Sequence, residues 1–339
     1  MSLVSIVIPC RNEVKYISNL LNSIKNSDYP LSLIEILIID GMSTDGTRDL
    51  IIDDFMSTSN NIKLIDNIMQ KTPFAFNLGI NKSFGDYIII FGSRHVISKN
   101  YISEVVNILD KNKEIGCVGG VVDNVYENKI SKVISTAMAS PFGIGFSNFR
   151  SIKVDSYVDT IGSPAFRKEI FNELGLFDER LTRNQDDDFS YRLIKAGYKI
   201  LLNSNISIKY NVRANFYKLF LQYKQYGYWK VFVNKKHKTV TTLRQLFPIV
   251  FVLSLLLLPF LSFLFPVLIY LLIFELVLYL LLNIFFSLKY NGLNLINVFM
   301  QMFAYLILHI SYGIGYLEGV IDFVFINKLP SKKHEKLSR

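Results

Sequence analysis

Over the first two hundred residues, short apolar runs alternate with longer stretches in which apolar positions recur every three or four residues. VSIVIP (4–9), IEILIID (34–40), IKLID (62–66), DYIIIF (86–91) and CVGGVVD (117–123) read as strands. EVKYISNLLNSIKN (13–26) and GTRDLIIDDFM (46–56) have helical spacing. Strands that are apolar almost throughout and alternate with helices predict an α/β fold, a parallel sheet covered on both faces. Ligands in such sheets bind at the carboxyl ends of the strands. The residues of interest are therefore Pro9, Cys10, Arg11, Asn12 and Glu13 after the first strand, and Asp40 to Thr47 after the second. Ser43 or Thr44 has a second reading, as the cap of the helix that starts near Thr47.

The pattern changes in the last third. From Leu246 to Leu288 the only charged residue is Glu275. A bilayer core of about 30 Å takes about 20 helical residues, so this run is long enough for two crossings, predicted at 246–264 and 266–287, with Pro259 and Pro266 bracketing the turn. A third segment, 295–316, is less apolar and carries Asn297, Gln301 and His309. As a full crossing it would place Lys328, Lys332, Lys333, Lys336 and Arg339 outside, against the positive-inside rule, so it is expected to be re-entrant, interfacial or a less certain span.

Charge sharpens this picture. The net charge is +9, and between Phe189 and Phe274 there are twelve Lys and Arg but no Asp or Glu. A basic segment ahead of a hydrophobic hairpin suits anionic cytoplasmic lipid better than nucleic acid. The apolar N-terminal stretch is too short for a signal peptide, which predicts a cytoplasmic soluble part attached to the cell membrane. Cys10 and Cys117 lack metal or redox spacing and read as small buried residues.

VSIVIPCRNE, IEILIIDGMSTDGT, KTPFAFNLGINKSFGDYIIIF, the acidic NQDDDFSYRLIKAGYKI and an aromatic segment before paired membrane helices follow one another in a telling order. In that order and spacing the chain resembles family 2 glycosyltransferases of GT-A fold. It is similar to the membrane-anchored members that build succinoglycan and other exopolysaccharides. The resemblance spans roughly residues 3 to 325 and implies a GT-A domain at 1–205. Basic aromatic interfacial helices would follow at 206–244, a transmembrane region at 245–325 and a basic tail at 326–339.

The resemblance also implies roles. Pro9, Arg11 and Glu13 would line the pocket of a UDP- or GDP-sugar, with Asp40 on the base edge, Asp45 nearby and Asn77 beneath the donor. Without it, Glu13 is equally a first-turn acid complementing a helix dipole. Asp186 would be the catalytic base, with Asp188 beside it and Gln185 where the family usually has Glu; the bare alternative is an acidic helix start. Gly162 and Ser163 would face the acceptor, a lipid-linked saccharide. Gln225 and Trp229 match part of a Gln-x-x-Arg-Trp motif with Tyr228 in place of Arg, on a helix expected to lie in the bilayer interface or, alternatively, to present an aromatic core stripe.

The sharpest departure concerns the cation. The family holds Mg²⁺ or Mn²⁺ with an Asp-x-Asp or Asp-Ala-His after the fourth strand, whereas this chain has Ser93, Arg94 and His95. Divalent Mg and Mn prefer carboxylate oxygen. Two readings stay open: His95 still binds a metal, or Arg94 offsets the diphosphate directly. The reading is thus a glycosyltransferase of lipid-linked saccharides, with transfer to polyprenyl phosphate, or a degenerate nucleotide-sugar-binding scaffold, as alternatives.

Overall fold

The computed structural model describes residues 2–145, 152–212 and 215–328, and the basic tail beyond Lys328 lies outside them. The chain forms two compact units, the first comprising residues 1–125 and 152–211, the second 126–151 and 212–339.

Nine strands of the first unit form one sheet: β1 (Val4–Cys10), β2 (Ile34–Asp40), β3 (Ile62–Asp66), β4 (Tyr87–Ile90), β5 (His95–Ile97), β6 (Ile115–Val125), β7 (Ser156–Tyr157), β8 (Ala165–Arg167) and β9 (Lys199–Asn211). The order is β3-β2-β1-β4-β8-β6-β9-β5, with β7 pairing β9. The five strands expected from sequence are all present. β1 to β4 pair in parallel, as their continuous burial predicts. The second half departs from the expected parallel sheet, because the three-residue β8 is inserted antiparallel between β4 and β6. So short a strand carries too little periodicity to be read in advance.

Helices from the same stretch of chain pack on the sheet: α1 (Ile17–Lys25), α2 (Thr47–Leu50), continued by a π turn at Ile51–Met56, α3 (Thr72–Lys82) against β1 and β2, and α4 (Tyr101–Lys111) against β6. Ile17, Leu20, Leu21 and Ile24 of α1 and Ile102, Val105 and Leu109 of α4 join Val4, Ile6 and Ile8 in one core. The approach of α3 to β1 is set by Gly79, where a Cβ would lie 2.4 Å from Val7 Cγ1.

The second unit is helical: α5 (Lys129–Ala139) and α6 (Pro141–Ile144), and, after α7 (Glu169–Leu174) and α8 (Gln185–Lys195) of the first unit, α9 (Phe216–His237), α10 (Phe247–Leu261), α11 (Leu268–Asn291) and α12 (Leu295–Gly319). Residues 126–151 leave the contiguous stretch 1–205 expected for the sheet domain, and the last strand runs on to Asn211. Among the described residues, three helical segments are long and apolar enough to cross a membrane: Leu243–Leu261, Leu268–Asn291 and Leu295–Phe325. The third, expected as a doubtful span, is one unbroken helix that ends in a π turn at Val320–Phe325.

α9, expected at a bilayer surface, packs part of its length inside the helical unit. Tyr228, Trp229 and Lys230 are fully enclosed, with Phe323 against both aromatic rings, so the aromatic-stripe alternative holds for Trp229, and Gln225 is also buried. Glycines set this packing. A Cβ on Gly315 would meet the Lys224 carbonyl oxygen at 1.9 Å, one on Gly227 the Tyr312 carbonyl oxygen at 2.1 Å, and one on Gly319 the Tyr228 carbonyl oxygen at 2.7 Å. Backbones in such contact leave no room for a side chain, the small-xxx-small arrangement favoured between membrane helices. Lys224 and Glu318 at 2.8 Å, and Tyr228 donating to Asp322 at 2.9 Å, fix the register.

Gly315→Val should separate α9 from α12. Overpacking of this kind costs about 1–3 kcal/mol, so thermal unfolding in detergent should fall by several degrees. An unchanged melting temperature would show that the two backbones are not in contact.

Candidate active site

The carboxyl ends of β1 and β2 lie level, Cys10 opposite Asp40. The loops beyond them are stitched together. Gly41 N donates to Cys10 O at 2.7 Å, Asn12 N to Ser43 Oγ at 2.8 Å, Thr44 N to Asn12 Oδ1 at 2.9 Å and Glu13 N to Thr47 Oγ1 at 2.9 Å. Asp45 belongs to this stitching, accepting from Thr47 N at 3.0 Å and Val14 N at 3.3 Å. Burial alone would raise its carboxyl, but the bonds from Thr47 and Val14 outweigh burial and hold it below the usual range. The stem of Arg11 crosses Gly41, where a Cβ would sit 3.2 Å from Arg11 Cδ.

Asp40 is completely buried. Its carboxylate accepts from Ser43 N at 2.9 Å, from Ser43 Oγ and from Arg48 Nη1 at 2.7 Å. The same Arg48 nitrogen reaches Asp66 at 2.8 Å, at the end of β3 and in register with Asp40. The bonds to Asp40 and then Asp66 push the Arg48 guanidinium further up. Neither Arg48 nor Asp66 was singled out from sequence; Asp66 carried the same signal as Asp40, an acid closing an apolar strand.

The segment after β4 completes the edge. Ser93 Oγ donates to Pro9 O at 2.8 Å, tying β4 to β1, and burial pushes the neighbouring Cys10 thiol up to about 12, which leaves it a protonated, inert group. Arg94 Nε donates to Glu13 Oε2 at 2.8 Å while its guanidinium carbon stands 4.6 Å from the Tyr16 ring centre. His95 Nδ1 receives the Gly92 N–H at 3.1 Å and lies 2.7 Å from Ser163 Oγ. Ser163, next to Gly162, is also buried, and its carbonyl accepts from Tyr101 OH at 2.8 Å.

Backbone strain marks the same edge. Asn12, Met42 and Ser163 all hold left-handed φ values, of 54°, 58° and 53°. Such conformations cost about 1–3 kcal/mol each and gather at functional sites. They fall after β1, after β2 and just before β8, whose start lies beside the end of β4.

The acidic stretch opens α8, after the left-handed Asn184 at φ 61°. Asp186 is exposed, and its Oδ1 accepts from Asp187 N at 3.0 Å. Asp188 is fully buried and pairs with Arg192 Nε at 3.2 Å, while the Arg192 Nη groups donate to Leu174 O at 2.6 Å and Leu176 O at 2.8 Å. That makes Asp188 an internal anchor and not an acceptor-binding group. Gln185, beside it, is half-buried. Asn77 is corrected in the same way. Its amide donates to Phe177 O at 2.9 Å and Glu179 Oε1 at 3.0 Å and accepts from Phe177 N at 2.9 Å, so it clamps the loop ahead of α8 instead of lying open to a donor. Gln225 and Trp229 are interior residues of the helical unit.

The residues do not fit a cation held by the protein. Among the described residues no three His, Cys, Asp or Glu side chains gather as a metal site. A metal-binding histidine donates from its second ring nitrogen, whereas an N–H is aimed at His95 Nδ1, and Ser93 Oγ is spent on Pro9.

Residues 5–175 match the family model described as glycosyl transferase family 2. The chain is 34% identical over 234 residues to dolichyl N-acetyl-alpha-D-glucosaminyl phosphate 3-beta-D-2,3-diacetamido-2,3-dideoxy-beta-D-glucuronosyltransferase of Methanococcus voltae, covering 67% of this chain and 72% of that protein. It is 30% identical over 248 residues to succinoglycan biosynthesis protein ExoA of Rhizobium meliloti, covering 72% and 74%. Among solved structures it is similar in fold to GalNAc-T7 with UDP, GalNAc and Mn²⁺ (TM-score 0.51, 17% identity, 63% of this chain and 45% of that one). It is likewise similar to the mannosyltransferase PcManGT of Pyrobaculum calidifontis with GDP-Man and Mn²⁺ (TM-score 0.50, 18% identity, 66% and 61%).

Asp186 and Asp188, both in the first turn of α8, should behave differently. Asp188→Ala leaves Arg192 without its buried partner and should lower stability by about 3–5 kcal/mol. Asp186→Asn, at an exposed position, should cost under about 1 kcal/mol. Denaturant unfolding of the two variants side by side checks this, and equal losses would refute the division of roles.

Proposed function

The chain belongs to glycosyl transferase family 2, and from that premise we propose an inverting transferase that moves a sugar from a UDP- or GDP-linked donor to a lipid-linked saccharide during surface glycan assembly. The name of the Methanococcus voltae relative, a transferase of a dolichyl phosphate sugar, supports the lipid-linked acceptor. The three apolar helices support a multi-pass membrane protein, with the sheet unit at the cytoplasmic face and anionic lipid attracting the basic segment.

The observation that carries the mechanism is the exposure of Asp186 beside a fully buried, ion-paired Asp188. The acceptor hydroxyl oxygen attacks the anomeric carbon and gives its proton to the Asp186 carboxylate. The bond from that carbon to the diphosphate breaks, and the nucleoside diphosphate leaves with the electron pair from the opposite face. Pro9, Arg11 and Glu13 border the donor at the strand ends, while the fully buried Asp40, paired with Arg48, holds the 41–48 loop that shapes this border. Gly162 and Ser163 form the loop toward the acceptor.

Asp186→Asn keeps the shape of the side chain and loses its basicity, so transfer should fall by about 10²-fold or more while nucleotide binding stays within a few-fold. Transfer from a panel of labelled UDP- and GDP-sugars to membrane lipid extract, with purified protein in detergent, reads the first quantity, and calorimetry with UDP and GDP reads the second. A variant turning over within a few-fold of the parent removes Asp186 from the role. Asp40→Ala, by removing the charge that holds the 41–48 loop, should weaken nucleotide binding, and unchanged affinity would show that the donor border does not depend on Asp40.

A further inference from the structure

His95 occupies a position from which a metal ligand is expected, yet its surroundings fix it as something else. The Gly92 N–H can only donate, and it points at Nδ1 from 3.1 Å. A proton on Nδ1 would meet that hydrogen head on, so the neutral ring carries its proton on Nε2. Ser163 Oγ, 2.7 Å from the same Nδ1, then donates as well. Gly92 lets the ring lie close, since a Cβ there would crowd it at 3.1 Å from His95 Cε1. The tautomer with Nδ1 protonated, which would present an Nε2 lone pair to a cation, is the one the backbone opposes.

Arg94 is prepared in a complementary way. Its hydrogen bond to Glu13 uses Nε and not the two Nη groups, which suit a bidentate grip on phosphate. Tyr16 and Glu13 hold the guanidinium plane in place beforehand, which lowers the ordering cost of binding. An adjacent N–H donor and guanidinium, with a serine where a carboxylate would bind a cation, make up a set of groups for an anion.

We propose that this site engages the donor diphosphate through His95 Nε2–H and the Arg94 guanidinium, without a divalent cation held by protein side chains. Ser163 acts as a positioning residue, tying the 162–163 loop to the ring that faces the diphosphate. The inference rests on the nucleotide-sugar reading above and narrows it to how the diphosphate charge is met.

The test is calorimetry on the full chain in detergent with UDP and GDP as probes, in EDTA and in Mn²⁺. At least one nucleotide should bind with a Kd that agrees within about threefold between the two conditions. His95→Gln, whose amide supplies an N–H in place of Nε2–H, should stay within about fivefold of the parent. His95→Ala and Arg94→Ala should each lose about tenfold or more, the usual loss for a charge-assisted hydrogen bond. Binding that tightens more than tenfold with Mn²⁺ and vanishes in EDTA overturns the proposal, a result that needs no variant to fold. A Gln variant as weak as the Ala variant overturns the role of Nε2–H. If neither nucleotide binds in either condition, the donor reading itself falls and takes this inference with it.

Discussion

Asp40 is a carboxylate with no exposed surface at the end of a buried parallel strand, and the site is arranged around keeping it there. An unpaired charge in that position would cost several kcal/mol. Arg48 and the Ser43 amide and hydroxyl supply the compensation. Those partners fix the 41–48 loop, which in turn fixes Asn12, Glu13 and Val14 through their backbone bonds. Glu13, so placed, sets the position of Arg94. The order of the edge thus runs outward from one buried charge, and a change at Asp40 reaches residues that never touch it.

Charge near the end of β4 follows from that arrangement. Glu13 and Arg94 together are neutral, so what they offer a ligand is geometry more than net charge. A diphosphate needs donors held where its oxygens will sit, because preformed donors cost no reorganisation when charge develops on the leaving group. Gly92 and Ser163 provide that preorganisation for His95, as Glu13 and Tyr16 do for Arg94.

The strands were legible because continuous apolar runs of five to seven residues have few other readings. The acids closing those runs mark one edge of the sheet, where Asp40 is bonded to Ser43, Glu13 to Arg94, Ser93 to Pro9 and His95 to Ser163. Asn77 and Asp188 show where the reading stops. Residue type marked them as polar groups near a site, but partner choice decides whether such a group faces a ligand or a backbone, and their partners lie a hundred residues away in one case and one helical turn away in the other. The short β8 and the departure of 126–151 from the sheet unit depend on long-range pairing, which leaves no local period. α9 misled for a different reason. Lysines and aromatics at helical spacing suit a membrane surface, yet Gly227, Gly315 and Gly319 bring the backbones so close that Trp229 has nowhere to go but inward.

The helical unit also handles its polar groups by internal pairing. Glu275 lies 2.7 Å from Ser254 Oγ, Asn283 donates to Met302 O at 3.3 Å, and His309 holds Phe142 O at 2.9 Å and Tyr279 OH at 3.0 Å. In hydrocarbon these groups would otherwise be costly, and each bond joins two elements that the apolar surface alone would let slide. His309 in particular fastens the short α6 turn to α12, with the Phe142 ring packed among Tyr279, Phe286 and Tyr305. Apolar surface alone does not choose how these helices are rotated against one another. A few paired polar side chains and three glycines make that choice, and so the residues that looked least suited to a membrane span are the ones that define how its helices meet.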